Sequence, residues 1–438
     1  MAITVIDRPI VYTPVLNDIV LTLDSDEKTF CSMNYQVKVQ VDGVTQTTLS
    51  LFPNETNGYA SFKIDELLLD YLSDSVYAGL TGATTDNGSL LQFSFLVGEY
   101  NDGTTGCTGG TFSASFTSLT SGVNQFYAWK GGLGWQQFYN YDWTDYVIAS
   151  GASAAANPIK FLTNAPSTIT THLGAENYLS FMQTFAAGIG DLRIQTVSET
   201  GATATYYLPN AFETVGSSVD RRKITMGVGP DNLNRSSLIN SSGSPVSGPY
   251  ITATTKEYTV TGGNLSGGTF TVYTESKTYK LDNSCFRFTP YRVLWVNSLG
   301  GIDAYTFRGR DTVTLNSDRS NYTKRAAGLR SDNTWGYELN SRGQVTYHNR
   351  VGKAVNVWSP YLSEAEHLWL STELKASAIN SFISAINENE DPAFANFNLP
   401  INITSATTVL QDRKNFDYPR LSLDVDFVFS YPEITQKG

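Results

Sequence analysis

Apolar and polar residues alternate at period 2 along much of the chain, the spacing of strands with one buried face. Met33, Tyr35, Val37, Val39 and Val41 interleave with Asn34, Gln36, Lys38 and Gln40. Asp42-Gly43 follows as a hairpin turn, and Thr47, Leu49 and Leu51 continue on the return strand. Ala60, Phe62 and Ile64 predict a further strand, after which Asp65 is placed to cap a short helix running to Tyr71. Leu91, Phe93, Phe95 and Val97 make another. Strands so short and so closely spaced predict a β-sandwich of fibronectin or immunoglobulin-like build. Later, Leu192–Val197 and Ala202–Tyr207 flank a Ser198–Gly201 turn, and Leu421, Leu423, Val425, Phe427 and Phe429 close the chain as a strand. In Tyr291–Phe307, Val293, Trp295, Tyr305 and Phe307 keep the same period around Asn297-Ser298-Leu299-Gly300-Gly301. This reads as a hairpin with one buried face, two turn glycines at positive φ and Trp295 as its core anchor. Helix signals are few. The clearest is Ser363-Glu364-Ala365-Glu366, a capping box opening a helix with Leu370 and Leu374; the pattern beyond fits either its continuation through Ile379, Phe382, Ile383 and Ile386 or a turn to strand near Ser377.

Breaks in the alternation suggest three domains. Residues 102–122 are a turn-rich connection with Gly103, Gly106, Gly109, Gly110 and Gly122. Gly151–Ala156 reads as a small-residue loop, and Phe161-Leu162 as a strand start that Pro166 ends. From Pro230 to Pro249 the chain is Asn, Ser, Gly and Pro with little apolar content, the composition of an exposed loop or linker. The division expected is an N-terminal β-sandwich over 1–101, an aromatic-rich middle β domain over 102–249, and a C-terminal β domain over 250–438 with its helix near 363–374. The fold class is all-β and multi-domain, of β-sandwich or β-barrel-like domains with one or two short helices.

Composition supports this: only 16% of residues are charged and 13% are aromatic, a balance that favours strands over helices. The net charge is −11, and no Lys/Arg cluster offers a phosphate-neutralising face, so sequence-specific nucleic-acid binding is not expected. Cys31, Cys107 and Cys285 are odd in number, widely spaced and free of any Cys-x-x-Cys, which predicts free thiols and neither a disulfide framework nor a zinc site. The N-terminal residues lack the basic and apolar regions of a signal peptide, and no apolar run is long enough to span a membrane. Catalytic motifs are missing as well. There is no Gly-x-Ser-x-Gly, His-Glu-x-x-His or P-loop, and the three histidines are scattered: His172 in a Thr-rich loop, His348 on a strand, His367 on the surface of the helix. Asp142 and Asp145 are the carboxylate pair to test for glycoside hydrolysis. No catalytic residue, cofactor or metal ligand is assigned.

Two segments carry the candidate interactions. Phe126, Tyr127, Trp129, Trp135, Phe138, Tyr139, Tyr141, Trp143 and Tyr146 form the most aromatic stretch, readable as core, as interface anchors led by Trp129, Trp135 and Trp143, or as a glycan-stacking platform. Residues 308–350 gather Arg308, Arg310, Arg319, Lys324, Arg325, Arg330, Arg342 and Arg350 among Asp303, Asp311, Asp318 and Asp332. Mixed signs with arginine in excess favour a salt-bridged subunit contact over a nucleic-acid groove.

Trp295-Val-Asn-Ser-Leu-Gly-Gly-Ile-Asp303, running into Tyr305-Thr-Phe307, resembles a signature of virion proteins from tailed bacteriophages of Bacteroidetes hosts, the crAss-like phages among them. Phe161–Pro166, Met226–Pro230 with Asn232-Leu233, and Leu362–Leu374 fit the same family in the same order, and the N-terminal block is similar to its N-terminal part. The resemblance implies a non-enzymatic tail or neck component, building a ring or tube from identical subunits together with other tail, neck and portal proteins. The virion would be its location, with assembly in the host cytoplasm. The acidic balance would suit a wall past which DNA slides. The alternatives are a receptor-binding module that contacts host-surface glycan through the 126–146 aromatics, and a glycan-cleaving tail enzyme.

Overall fold

The computed structural model describes residues 3–29, 32–73, 80–85, 88–101, 113–118, 124–148, 158–183, 188–212, 222–284, 287–288, 290–324, 327–337, 343–375, 383–387, 399–404, 421–430 and 434–437. All three cysteines and the Gly151–Ala156 loop lie outside these. The protein is all-β, with four short α-helices among the described residues. It divides into two compact units. The first holds the described residues up to Asn283 together with Val296–Ala304; the second holds Ser284–Trp295, Tyr305–Ala376 and Phe382–Gly438. Position 249 therefore falls inside the first unit.

The first unit opens with a β-sandwich. One sheet pairs Ile3–Asp7, Val20–Ser25 and Ala60–Lys63; the other runs in the order Tyr12–Pro14, Phe126–Trp129, Leu90–Asn101, Asn34–Val41, Val44–Leu51. Tyr35, Val37 and Val39 face Leu21, Leu23, Phe62, Phe93, Phe95 and Phe126 in one core, while their polar neighbours face outward. Asp42 and Gly43 both take positive φ (48° and 78°), as the two-residue turn requires. The sandwich reaches past 101: Phe126–Trp129 is an interior strand, and Ser113–Ser118, within the expected turn-rich connection, pairs with Leu90–Asn101. The helix Asp65–Leu69 forms as expected, but Asp65 does not cap it. Ile64 occupies the cap position, and the Asp65 carboxylate lies 3.7 Å from Lys63 Nζ instead.

Glu99 is buried inside this sandwich, where the Ser25 hydroxyl donates to its carboxylate. Burial pushes its pKa up, and the Ser25 hydrogen bond offsets this only in part. A raised carboxyl pKa means the folded state binds the proton more tightly than the unfolded one, so stability falls as pH rises above the ordinary carboxylate range. Glu99→Gln is therefore expected to melt above wild type at pH 7, with the gap closing as the pH falls towards about 4. A variant less stable than wild type at neutral pH would show that the charge is needed.

The rest of the first unit comprises two further sheets. One orders Val147–Ile148, Tyr178–Gln183, Arg222–Gly227 and Ala83–Thr85; the other orders Thr168–Thr171, Thr269–Leu281, Thr255–Ser266, Asp191–Ser198 and Thr203–Pro209. Pro230–Pro249 is no linker, and the expected exposed loop holds only for its second half: residues 241–249 are exposed except for half-buried Val246. It begins with the helix Pro230–Arg235, and Asn232 is fully buried: its oxygen accepts from the Asn177 and Gly229 amides and its nitrogen donates to Leu80 O. Asn234 likewise bridges the backbone of Tyr250 and Ile251. Polar side chains here replace a sheet ladder as partners for buried backbone.

Phe161–Pro166 is not a strand either. Phe161 N–H donates to Glu275 and Leu162 N–H to Ser180 O, while Leu162 O accepts from Asn297 Nδ2 at 2.9 Å. Asn164 donates to Ser298 Oγ, and Thr163 donates to buried Asp303 at 2.7 Å. The loop Val296–Ala304 is thus locked against 161–165, and the Lys223 ammonium donates to Gly300 O. Of its two glycines only Gly300 has positive φ (76°). Gly301 is needed for another reason: a Cβ there would collide with the Leu162 carbonyl.

In the second unit an eight-stranded sheet orders Ile302–Phe307, Tyr291–Val296, Ile383–Asn387, Leu399–Ile403, Asp424–Phe429, Gln344–Trp358 and Asp311–Thr323, with Ile434–Lys437 also pairing Gln344–Trp358. Tyr291–Val296 and Ile302–Phe307 are buried on both faces, so the expected half-exposed hairpin is a fully enclosed one. The capping box forms: Ser363 Oγ accepts from Glu366 N, and the Glu366 carboxylate accepts from Ser363 N. The helix Glu364–Trp369 continues as a π-type turn to Lys375, and a strand follows at Ile383. His367 is buried in this helix and is not the surface residue expected.

Candidate subunit-contact surface

Asp311–Thr323 and Gln344–Trp358 pair antiparallel from Asp311↔Val357 to Thr323↔Gln344. A strand of 13 residues extends about 43 Å. Near its base the ribbon is joined by Asp424–Phe429, against Ala354–Trp358, and by Ile434–Lys437, against His348–Val351. Beyond His348 only the two strands remain among the described residues, followed by a small hairpin, Ala327–Leu329 against Trp335–Tyr337. Its turn is set by Asn333 at φ 63° and by Asp332, which accepts from the amide and hydroxyl of Thr334. Those bonds hold the Asp332 carboxyl below its ordinary pKa. We call the whole projection the arm.

Directly opposed residues share a face of a sheet. On one face lie Val313 with Val355, Leu315 with Lys353, Ser317 with Val351, and Arg319 with Asn349. Val355 and Val357 are core residues, as are their cross-strand neighbours Phe427 and Val425. The apolar row thus runs out of the core onto an uncovered ribbon, where Leu315 is 65% exposed and Val313 is also exposed. Tyr322 and Tyr347 lie further out with ring centroids 6.1 Å apart, and Leu329 faces Trp335, itself 64% exposed, in the terminal hairpin. These apolar positions were missed by reading 308–350 as charge; the Val313–Leu315 alternation and the paired tyrosines were the available signal.

Of the expected interface arginines, Arg308 is half-buried where the arm begins, while Arg310 and Arg319 are exposed. Arg319 Nε donates to Ser317 Oγ at 3.2 Å, and neither Arg310 nor Arg319 forms an ion pair with a described residue. Asp318 stands opposite Arg350 on the other face without closing a pair. Asp303 belongs to the buried network of the first unit, not to this surface. Residues 308–358 hold nine Lys/Arg against four Asp/Glu, a net +5 in a chain of −11, which leaves −16 on the remainder.

The tryptophans lie elsewhere. Trp129 is fully buried in the first unit and donates from Nε1 to Leu299 O at 2.9 Å; it is core and offers no surface. Trp143 is half-buried against Tyr12, at 5.1 Å between rings. Trp135 (79% exposed) and Tyr139 (86%) project from the helix Trp135–Tyr139, one turn apart. Most of the aromatic stretch is thus packing. Asp142 caps the turn Trp143–Asp145, and hydrogen bonds from Thr144 hold its carboxyl below the usual range. Asp145 pairs with Lys160 at 2.7 Å. A glycosidase acid needs the opposite shift. His172 is buried and accepts from Gly174 N at Nδ1. Among the described residues no group of three or more His, Cys, Asp and Glu is arranged to hold a metal ion, and no helix is long and apolar enough to cross a membrane. No protein-family model matches the chain, and no curated protein is significantly similar to it.

Proposed function

We propose that the chain is a non-enzymatic structural subunit of a tailed-phage virion of crAss-like type, building a ring or tube in the neck or tail through head-to-tail contacts between identical copies. The observation that carries this reading is the arm: a long ribbon whose core-facing apolar row continues exposed at Val313 and Leu315, with Arg310 and Arg319 exposed and in no ion pair with a described residue. Such a surface is incomplete without a neighbour. A heterologous contact, arm of one copy on body of the next, closes a ring when the rotation is right. The signature segments at 161–166, 226–233 and 295–303 are largely buried packing and hydrogen-bonding elements, which suits a structural role. Other partners are tail, neck and portal proteins, and the acidic remainder suits a wall facing DNA. Proteomics of purified particles with electron microscopy of the labelled chain tests this: the chain is expected in several copies at the neck or tail, and its absence from particles would overturn the reading.

A second reading, a receptor-binding module for host-surface glycan, rests on Trp135 and Tyr139, two exposed rings one helical turn apart. Capsular polysaccharide retained by wild type and released by Trp135→Ala would favour it.

A further inference from the structure

We propose that the outer edge of strand Asp311–Thr323 accepts a β-strand from the next copy of this chain. The proposal rests on the ring reading and specifies how its subunits join. The strand ends the order of its sheet, with Gln344–Trp358 on one side and no strand among the described residues on the other. At its start, Trp358 N–H donates to Arg310 O, so Arg310 turns its carbonyl towards the partner strand. Backbone direction alternates along an antiparallel pair. Thr312, Thr314, Asn316 and Asp318 therefore bond inward, and the N–H and C=O groups of Asp311, Val313, Leu315, Ser317 and Arg319 face outward.

Exposed edges are ordinarily blunted by charged side chains, proline, bulges, a covering segment or short length, and here the charges stand only at Asp311, Asp318 and Arg319, either side of the uncharged residues 312–317. This strand has 13 residues, contains neither proline nor lysine, and is exposed along nearly all of them. Its Val313 and Leu315, which share one face, are exposed as well. An added strand would pair the open backbone groups and cover that apolar row at once. Charge identifies the occupant. The arm carries +5 and the rest of the chain −16, so the body of a second copy is the complementary surface.

Proline at an outward position removes the edge donor while sparing the ladder to Gln344–Trp358. The full chain is compared as wild type, Leu315→Ala and Leu315→Pro, by sedimentation velocity over rising concentration and by incorporation into particles, which covers a subunit that waits for a template. Leu315→Pro is expected to keep the wild-type circular dichroism and to associate about tenfold more weakly or worse, the effect of one unsatisfied buried backbone group. Leu315→Ala is expected to fall in between, and added salt to weaken wild-type association. Equal loss in both variants would assign the contact to the side chain and overturn strand addition, as would normal assembly of Leu315→Pro. Duplex DNA retained by wild type and lost with Leu315→Pro would overturn it in favour of nucleic acid. Wild type missing from particles would fail the ring reading itself.

Discussion

Trp295→Ala is expected to destabilise the second unit by roughly 3–5 kcal/mol, the cost of truncating a large aromatic in a packed core. That is a large part of a domain's stability. Trp295 is fully buried, its ring centroid 5.5 Å from that of Trp369, which in turn meets Tyr305 edge-on at 6.5 Å. Removing the indole leaves a cavity that two enclosed strands cannot close. Trp295→Phe is a sharper test. The Trp295 indole N–H has no hydrogen-bond partner among the described residues, so phenylalanine loses volume but no bond, and about 1–2 kcal/mol is expected. Trp129 matches it in size and burial, yet its N–H is spent on Leu299 O. Trp129→Phe strands that buried carbonyl and is expected to cost about 1–3 kcal/mol more than Trp295→Phe. Denaturant titrations of the three variants check this, each read on the transition of its own unit. A Trp295→Ala midpoint close to wild type, or equal costs for the two Phe variants, would contradict the packing described.

How much of this was legible in the sequence depended on where each segment found its partners. The Tyr35 strand and its Asp42-Gly43 turn were readable because one face is buried and the other wet, so alternation reports burial directly. Ser363–Glu366 was readable because a capping box is local. Tyr291–Phe307 shows period 2 without meaning it: both faces are enclosed, and Arg292 and Asp303 are buried as surely as Trp295. The first half of Pro230–Pro249 misled in the other direction, while 241–249 are the exposed loop expected. Asn232 and Asn234 look like loop residues, but their amides satisfy buried backbone from segments distant in sequence, which no local pattern reveals. The arm was legible as charge alone. That its apolar row stays exposed follows from there being no further strand beside it among the described residues, a property of the whole sheet.

The second large effect expected is loss of assembly on charge reversal at Arg310 and Arg319. Both side chains are exposed and form no ion pair with a described residue, so replacing them with Glu removes no bridge among those residues, and Arg319 loses its hydrogen bond to Ser317. Surface substitutions of this kind typically change stability by about 0.5 kcal/mol or less. Against an acidic neighbour, however, two attractive contacts become repulsive, and like charges juxtaposed at an interface cost several kcal/mol. The most direct measurement is particle composition after complementation with the Arg310→Glu/Arg319→Glu chain, alongside circular dichroism of the purified variant. A chain that folds as wild type but is missing from particles is the result predicted; normal incorporation of the double variant would contradict the arm's role in joining subunits.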